Sequence, residues 1–212
     1  DIFDIQDDIT AEVVAKVGGA YGAVARERMN RLRRGRTESL AAYDCMRLYH
    51  QWLATFDEGD YRAAREALQR AVKVDPSYAD AWAGLSSIYA CEVTLFHDLN
   101  PDALDRALTT AQRAVHLAPD HAIAHRTLAH ARLLRREDGA FYEAAERALA
   151  VNPNDTHNMG IIAGYLCMAG NWDMGLALRK TVAERDPLCL ISVRLMQYLD
   201  HYRKREFEQA LA

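Results

Sequence analysis

Four histidines stand close together in the middle of the chain: His116, His121, His125 and His130. His121 and His125 are four residues apart, a spacing that can place two ring nitrogens on one helix face around a metal ion. No HExxH and no nearby cysteine pair accompanies them, and His121 lies at a helix start, so the plainer reading is solvated or groove-lining histidines. Asp57, Glu58 and Asp60 are clustered carboxylates around Gly59. They have no visible partner for acid–base work, and they read as an inter-helix loop. Six arginines, Arg26, Arg28, Arg31, Arg33, Arg34 and Arg36, could meet phosphate or nucleic acid. They lack interleaved aromatics and sit where a helix C-terminus favours cations, so a solvated face or linker is favoured. There is no glycine-rich phosphate loop, GxSxG or Cys/His pair. No catalytic, cofactor or metal site is therefore expected.

The elements that would position these residues follow from a recurring segment. Arg70-Ala71-Val72-Lys73-Val74-Asp75-Pro76 returns as Arg113 to Pro119, as Arg147 to Pro153 and, more weakly, as Thr181 to Pro187. Each is a helix end closed by proline, which lacks an N–H and disfavours helix in the residue before it. From Pro119 to Pro153 is 34 residues, and from Pro153 to Pro187 it is 34 again; from Pro76 to Pro119 it is 43, one period plus an insertion of nine. Valine and isoleucine keep helical spacing throughout, so no strand is expected.

The first pair is expected at Ser39 to Phe56 and Tyr61 to Val74, with Glu58-Gly59-Asp60 as the turn. Trp52 stands where a small residue lets the two helices approach, so it is expected to push that contact open or to reach outward. The second pair carries Trp82-x2-Leu85-Ser86-x2-Tyr89, followed by Ala107, Ala111 and Ala114. Its nine extra residues lie between Tyr89 and Ala107. The first helix is expected to run to about Phe96, and the second to start at Pro101 behind an Asn100 cap. Their tip would be His97-Asp98-Leu99. The third pair holds Leu128, Ala129, Ala145 and Ala148, with Phe141 at a position that is usually alanine. The fourth holds Ile162, Ala163, Leu166 and Gly175, with Asn171-Trp172-Asp173 as its turn.

A 34-residue repeat of helix pairs, with W-x2-L-x3-Y and small residues at these positions, resembles the tetratricopeptide-repeat family. The resemblance implies an all-α, right-handed superhelix with repeats over about 43–76, 79–119, 122–153 and 156–187, and a partial one over 188–212. Trp52, Phe141 and Arg179 depart from the family pattern. In the family the first helices of the pairs line a concave face that binds a protein or peptide. By repeat position, that face would carry Tyr49, Leu53, Asp80, Ser87, Arg126, His130, His157, Arg194 and Tyr198. The clamp of lysines and asparagines with which some family members hold chaperone C-termini is absent at the corresponding sites.

A narrower resemblance is to helical-repeat regions of bacterial signalling proteins, behind a class III nucleotide cyclase domain or a winged-helix DNA-binding domain. It rests on residues 1–10, on Ala41-Ala42-Tyr43-Asp44, on the long second pair and on Asp186-Pro187-Leu188-Cys189-Leu190. Two parent functions are thereby implied: a regulated adenylate or guanylate cyclase, or a transcriptional regulator of which this is the sensor or oligomerisation half.

Residues 1–36 precede the repeats. Ile5, Ile9, Val13 and Val17 make one helical stripe, which is expected to fold back on the first repeat or to pair with a second copy as a homodimer. The chain opens at Asp1 and stops at Ala212 inside helical patterns, and reads as a piece of a longer protein. Of its 212 residues, half are apolar, and the formal net charge is −4. That charge argues against a protein devoted to nucleic acid. The longest near-apolar run, Gly160 to Gly170, is too short to span a bilayer. Cys45, Cys91, Cys167 and Cys189 are scattered and read as packed thiols of a reducing, cytoplasmic compartment.

Overall fold

A computed structural model describes residues 37–96, 102–186 and 198–208. The helices run in antiparallel-pair order: α1 Thr37–Thr55, α2 Glu58–Val74, α3 Ala79–Cys91, α4 Ala103–Leu117, α5 Ala122–Leu134, α6 Asp138–Val151, α7 Thr156–Met168 and α8 Trp172–Arg185. A π-turn, Glu92–Phe96, prolongs α3. Residues 198–203 are helical again, and the described residues contain no strand. They fall in two compact units, one holding α1 to α6 and the other α7, α8 and residues 198–208.

Proline ends the helices as the repeat predicts. Asp75 (φ −128°, ψ 91°), Ala118 (φ −140°, ψ 81°) and Asp186 (φ −140°, ψ 84°) all leave helical backbone just before a proline. Each still donates its N–H to the carbonyl four residues back. The helix starts differ from expectation. Glu58-Gly59-Asp60 is the first turn of α2, because the Asp57 carboxylate accepts from the N–H of Gly59 at 2.7 Å and of Asp60 at 3.2 Å. That is an N-cap, and it moves the turn back to Phe56, whose φ of 51° makes the reversal. Trp172 and Asp173 likewise begin α8 rather than fill a turn; Asn171 caps them and Gly170, at φ 88°, turns the backbone. The second pair's first helix does reach Phe96. Its second begins at Ala103; Asn100, Pro101 and the tip at 97–99 lie outside the described residues, as do 1–36.

The contact inside each pair is kept short by a small residue on at least one side. Trp52, Ser86, Ala129 and Ala163 occupy one repeat position, and Ala64, Ala107, Phe141 and Gly175 the facing one. Ser86 is fully buried and donates its hydroxyl to the Ala107 carbonyl at 2.8 Å, which shows the two positions touching. By the same register a bulky Trp52 faces Ala64, and a bulky Phe141 faces Ala129. This corrects one expectation for Trp52. It does not reach outward but is fully buried, edge-on to Tyr61 at 5.9 Å and to Phe56 at 5.7 Å. The apolar area of an indole is worth far more inside than out.

Gly175 gives this rule a test. A Cβ on Gly175 would meet Cys167 Sγ and come within 2.7 Å of the Ala163 carbonyl oxygen and 3.1 Å of the Cys167 nitrogen. On Gly84 it would meet only the Leu68 side chain, at 2.9 Å. Overpacking costs about 1–3 kcal/mol, and glycine to alanine within a helix regains about 1 kcal/mol. Backbone atoms cannot rotate away and a leucine tip can. Gly175→Ala is therefore expected to lower the urea midpoint and Gly84→Ala to leave it nearly unchanged.

The lengthened second pair is held by a buried carboxylate. Glu92, in the π-turn, accepts from the Tyr61 hydroxyl and pairs with Arg65 at 3.0 Å. Burial and the adjoining carboxylate push the Tyr61 hydroxyl up.

Candidate functional site

The first helices of the three pairs in the larger unit, α1, α3 and α5, adjoin in sequence order. Residues at helical spacing share a face: Tyr49 with Leu53, Asp80 with Ser87, Arg126 with His130. Around Arg126 the structure gathers Tyr49 from α1, Ser87 from α3 and His130 from α5. Ser87 and Arg126 both act on the Tyr49 hydroxyl. Tyr49 is 3% exposed and Arg126 7%. Burial pushes the Tyr49 hydroxyl up, against the opposing pull of Arg126 and Ser87. Burial, with Arg126 adding to it, lowers His130 to about 4.

Two residues that the repeat positions did not select join them. His50 is held below its ordinary value by burial and then by Arg126. Burial pushes Cys91 up to about 11. Cys91 is four residues from Ser87 and His50 follows Tyr49, so helical spacing alone could have flagged Cys91.

The other expected residues lie elsewhere. Asp80 pairs with His121 Nε2 at 2.8 Å, tying the start of α3 to that of α5. Leu53 is half-buried and packs on the core. His157 is half-buried in the first turn of α7. Tyr198 is exposed and stacks on Tyr202 at 6.0 Å. Arg194, and the stripe Ile5, Ile9, Val13 and Val17, lie outside the described residues.

The histidine cluster is spent on structure. His121 Nδ1 accepts from the Ala124 N–H at 3.2 Å and caps α5, which leaves Nε2 as the donor to Asp80. His125 Nε2 donates to the Pro119 carbonyl at 2.8 Å. No group of His, Cys, Asp or Glu among the described residues is arranged to hold a metal ion. Asp57, Glu58 and Asp60 are equally engaged: one caps α2, one pairs with Arg62, and one accepts from Gln51 and Thr55. Cys91 and Cys167 are free thiols.

Residues 53–90 match the family profile described as TPR repeat. These residues are a tetratricopeptide repeat. Among solved structures, the TPR array resembles a thermophilic TPR protein of Thermus thermophilus, with a TM-score of 0.61 and 19% identity over 86% of this chain and 87% of that one. It also resembles the human IFIT1 dimer with m7Gppp-AAAA, with a TM-score of 0.60 and 20% identity over 80% of this chain and 38% of that one. At these identities the likeness is one of fold: all-α and helical-repeat. A curated relative, putative adenylate cyclase 3 of Rhizobium meliloti (strain 1021), is 33% identical over 142 residues, 66% of this chain. The TPR chain spans about a quarter of that relative's length, 24%. No helix among the described residues is long and apolar enough to cross a membrane.

Proposed function

We propose that this TPR array is the interaction region of a larger bacterial signalling protein, a nucleotide cyclase, and that it is not itself catalytic. TPR repeats are protein-interaction modules. Stacked helix pairs offer an extended face rather than a closed pocket, and such faces take up extended segments of partners. The partner is a protein or peptide segment laid on the face of α1, α3 and α5, or a neighbouring domain of the same parent, in the cytoplasm. The observation that carries this reading is the polar group of Tyr49, Ser87, Arg126 and His130, drawn from three successive pairs. The cyclase parent rests on the relative named putative adenylate cyclase, of which this chain matches a quarter.

The purified 212-residue chain is expected to turn over neither ATP nor GTP. Deleting it from the parent should leave cyclase turnover in place and change its regulation. Turnover by the isolated chain would overturn the reading. Pairing through Ile5, Ile9, Val13 and Val17 would make the array a dimer, as suits a parent with paired catalytic domains. Light scattering should then report a dimer that Ile9→Asp with Val13→Asp dissociates, and a strictly monomeric wild type would remove this part of the reading.

A further inference from the structure

The methionines of the described residues fall into two classes. Met46 and Met159 are 9% and 5% exposed, whereas Met168 is 57% and Met174 49% exposed. Met168 ends α7 and Met174 lies in the first turn of α8, on either side of the turn at Gly170. A thioether in water is open to oxidation to the sulfoxide, and a buried one is shielded. The described thiols compete poorly for the same oxidant. Burial pushes Cys45 up to about 12 and Cys91 up to about 11, and it raises Cys167, which keeps all three out of the reactive thiolate form.

Of the two exposed sulfurs, that of Met174 is built into a helix cap. Asn171 grips residue 174 twice. Its Oδ1 accepts from the Met174 N–H at 3.3 Å, and its Nδ2 donates to Met174 Sδ at 3.0 Å. The first of these bonds is the N-cap of α8. The Met168 sulfur takes no part in it. A thioether is a weak acceptor, and at 3.0 Å there is no place for an oxygen between it and the amide. An oxygen added on the amide side pushes Nδ2 away. Added on the far side, it leaves an electron-poor sulfur facing the amide hydrogens. Both sulfoxide epimers therefore open the grip, and the capping bond, already long, goes with it. The residue that begins α8 has a load to carry. The Arg203 guanidinium lies 4.5 Å from the centre of the Trp172 ring, and Arg203 pairs with Asp200 at 2.6 Å. The start of α8 is thus part of the seat of residues 198–203.

We infer that Met174 is a site of oxidative modification, and that its conversion to the sulfoxide uncaps α8 and loosens the seat of residues 198–203. The oxidant is a peroxide. A sulfur lone pair attacks one oxygen of hydrogen peroxide, and the O–O bond breaks as the S–O bond forms. The hydroxide that leaves takes the proton of the transferred oxygen and becomes water. Sulfur gives up two electrons and the peroxide accepts them. Methionine sulfoxide reductase reverses the change.

The test treats the full chain with hydrogen peroxide and follows each methionine by peptide mass spectrometry. Met168 and Met174 are expected to gain oxygen well before Met46 and Met159. Amide exchange then reads the cap. On oxidation the Met174 N–H should exchange about fivefold faster, the worth of a lost N-cap, and the Trp172 indole resonance should move. Both changes should persist in Met168→Leu, vanish in Met174→Leu, and reverse with the reductase. Met168 is the control, equally exposed but outside the cap. Oxidation of Met174 no sooner than Met46 and Met159 overturns the site. Oxidised Met174 with its amide exchange unchanged overturns the uncapping. Changes that survive in Met174→Leu assign them to another residue and overturn it as well. Should Met174→Leu fail to fold, oxidation and reversal in Met168→Leu decide alone.

Discussion

The Ala114→Arg and Ala148→Arg variants are expected to be unfolded, locally or wholly. Ala114 and Ala148 stand at one repeat position on α4 and α6, and both are fully buried. Ala114 packs with Ala83 of α3 and Ala124 of α5, so it touches the first helices of two successive pairs. Three methyl groups at that meeting leave no room for a long side chain. Forcing one in costs about 1–3 kcal/mol in overpacking, and burying its charge unpaired costs about 3–5 kcal/mol more. A domain of this size has only about 5–15 kcal/mol in hand. Ala114→Gly, which leaves the space open, should lose only about 1 kcal/mol. Urea melts followed by circular dichroism read the difference. Melting of both arginine variants at the wild-type midpoint would mean that the repeat register is wrong.

Stability should also fall as the solution is acidified from pH 7 to pH 4, and His130 should carry a large share. Burial, aided by Arg126, lowers this histidine from its ordinary 6.5 to about 4. The unfolded chain therefore binds a proton on it at higher pH than the folded chain does. Between those two values the unfolded state holds more protons, so stability rises with pH there and is lost as pH falls. A depression of this size corresponds to about 3 kcal/mol, fully present above about pH 7 and lost below about pH 4. Exposed ion pairs such as Arg147 with Asp120 add little to this slope. In His130→Gln the drop between pH 7 and pH 4 is expected to shrink by about 3 kcal/mol. Urea midpoints of both proteins across that range make the comparison. Parallel curves would show that His130 does not titrate as a buried neutral ring.

The sequence alone determined that this protein is a row of helix pairs, and where they stop. Proline acts on the residue just before it, and Asp75, Ala118 and Asp186 turn out of the helix in nearly one geometry. The insertion of nine was legible because the period on either side is constant. Helix starts were less legible, because Asp57 and Asn171 choose them by where their side chains reach. Which polar residue does what was decided only by tertiary contacts. His121 and His125 look alike in sequence and similar to His130. One is drawn to Asp80 and the Ala124 N–H, one to the Pro119 carbonyl, and one is buried beside Arg126. Trp52 could have faced either way until Ala64 left it space inside. Arg126 carries no mark of its own, being one of many arginines. Its surroundings come from α1 and α3, which bring Tyr49 and Ser87 to its face. Burial and charge balance are sums over neighbours distant in the sequence, so they exist only once the helices have packed.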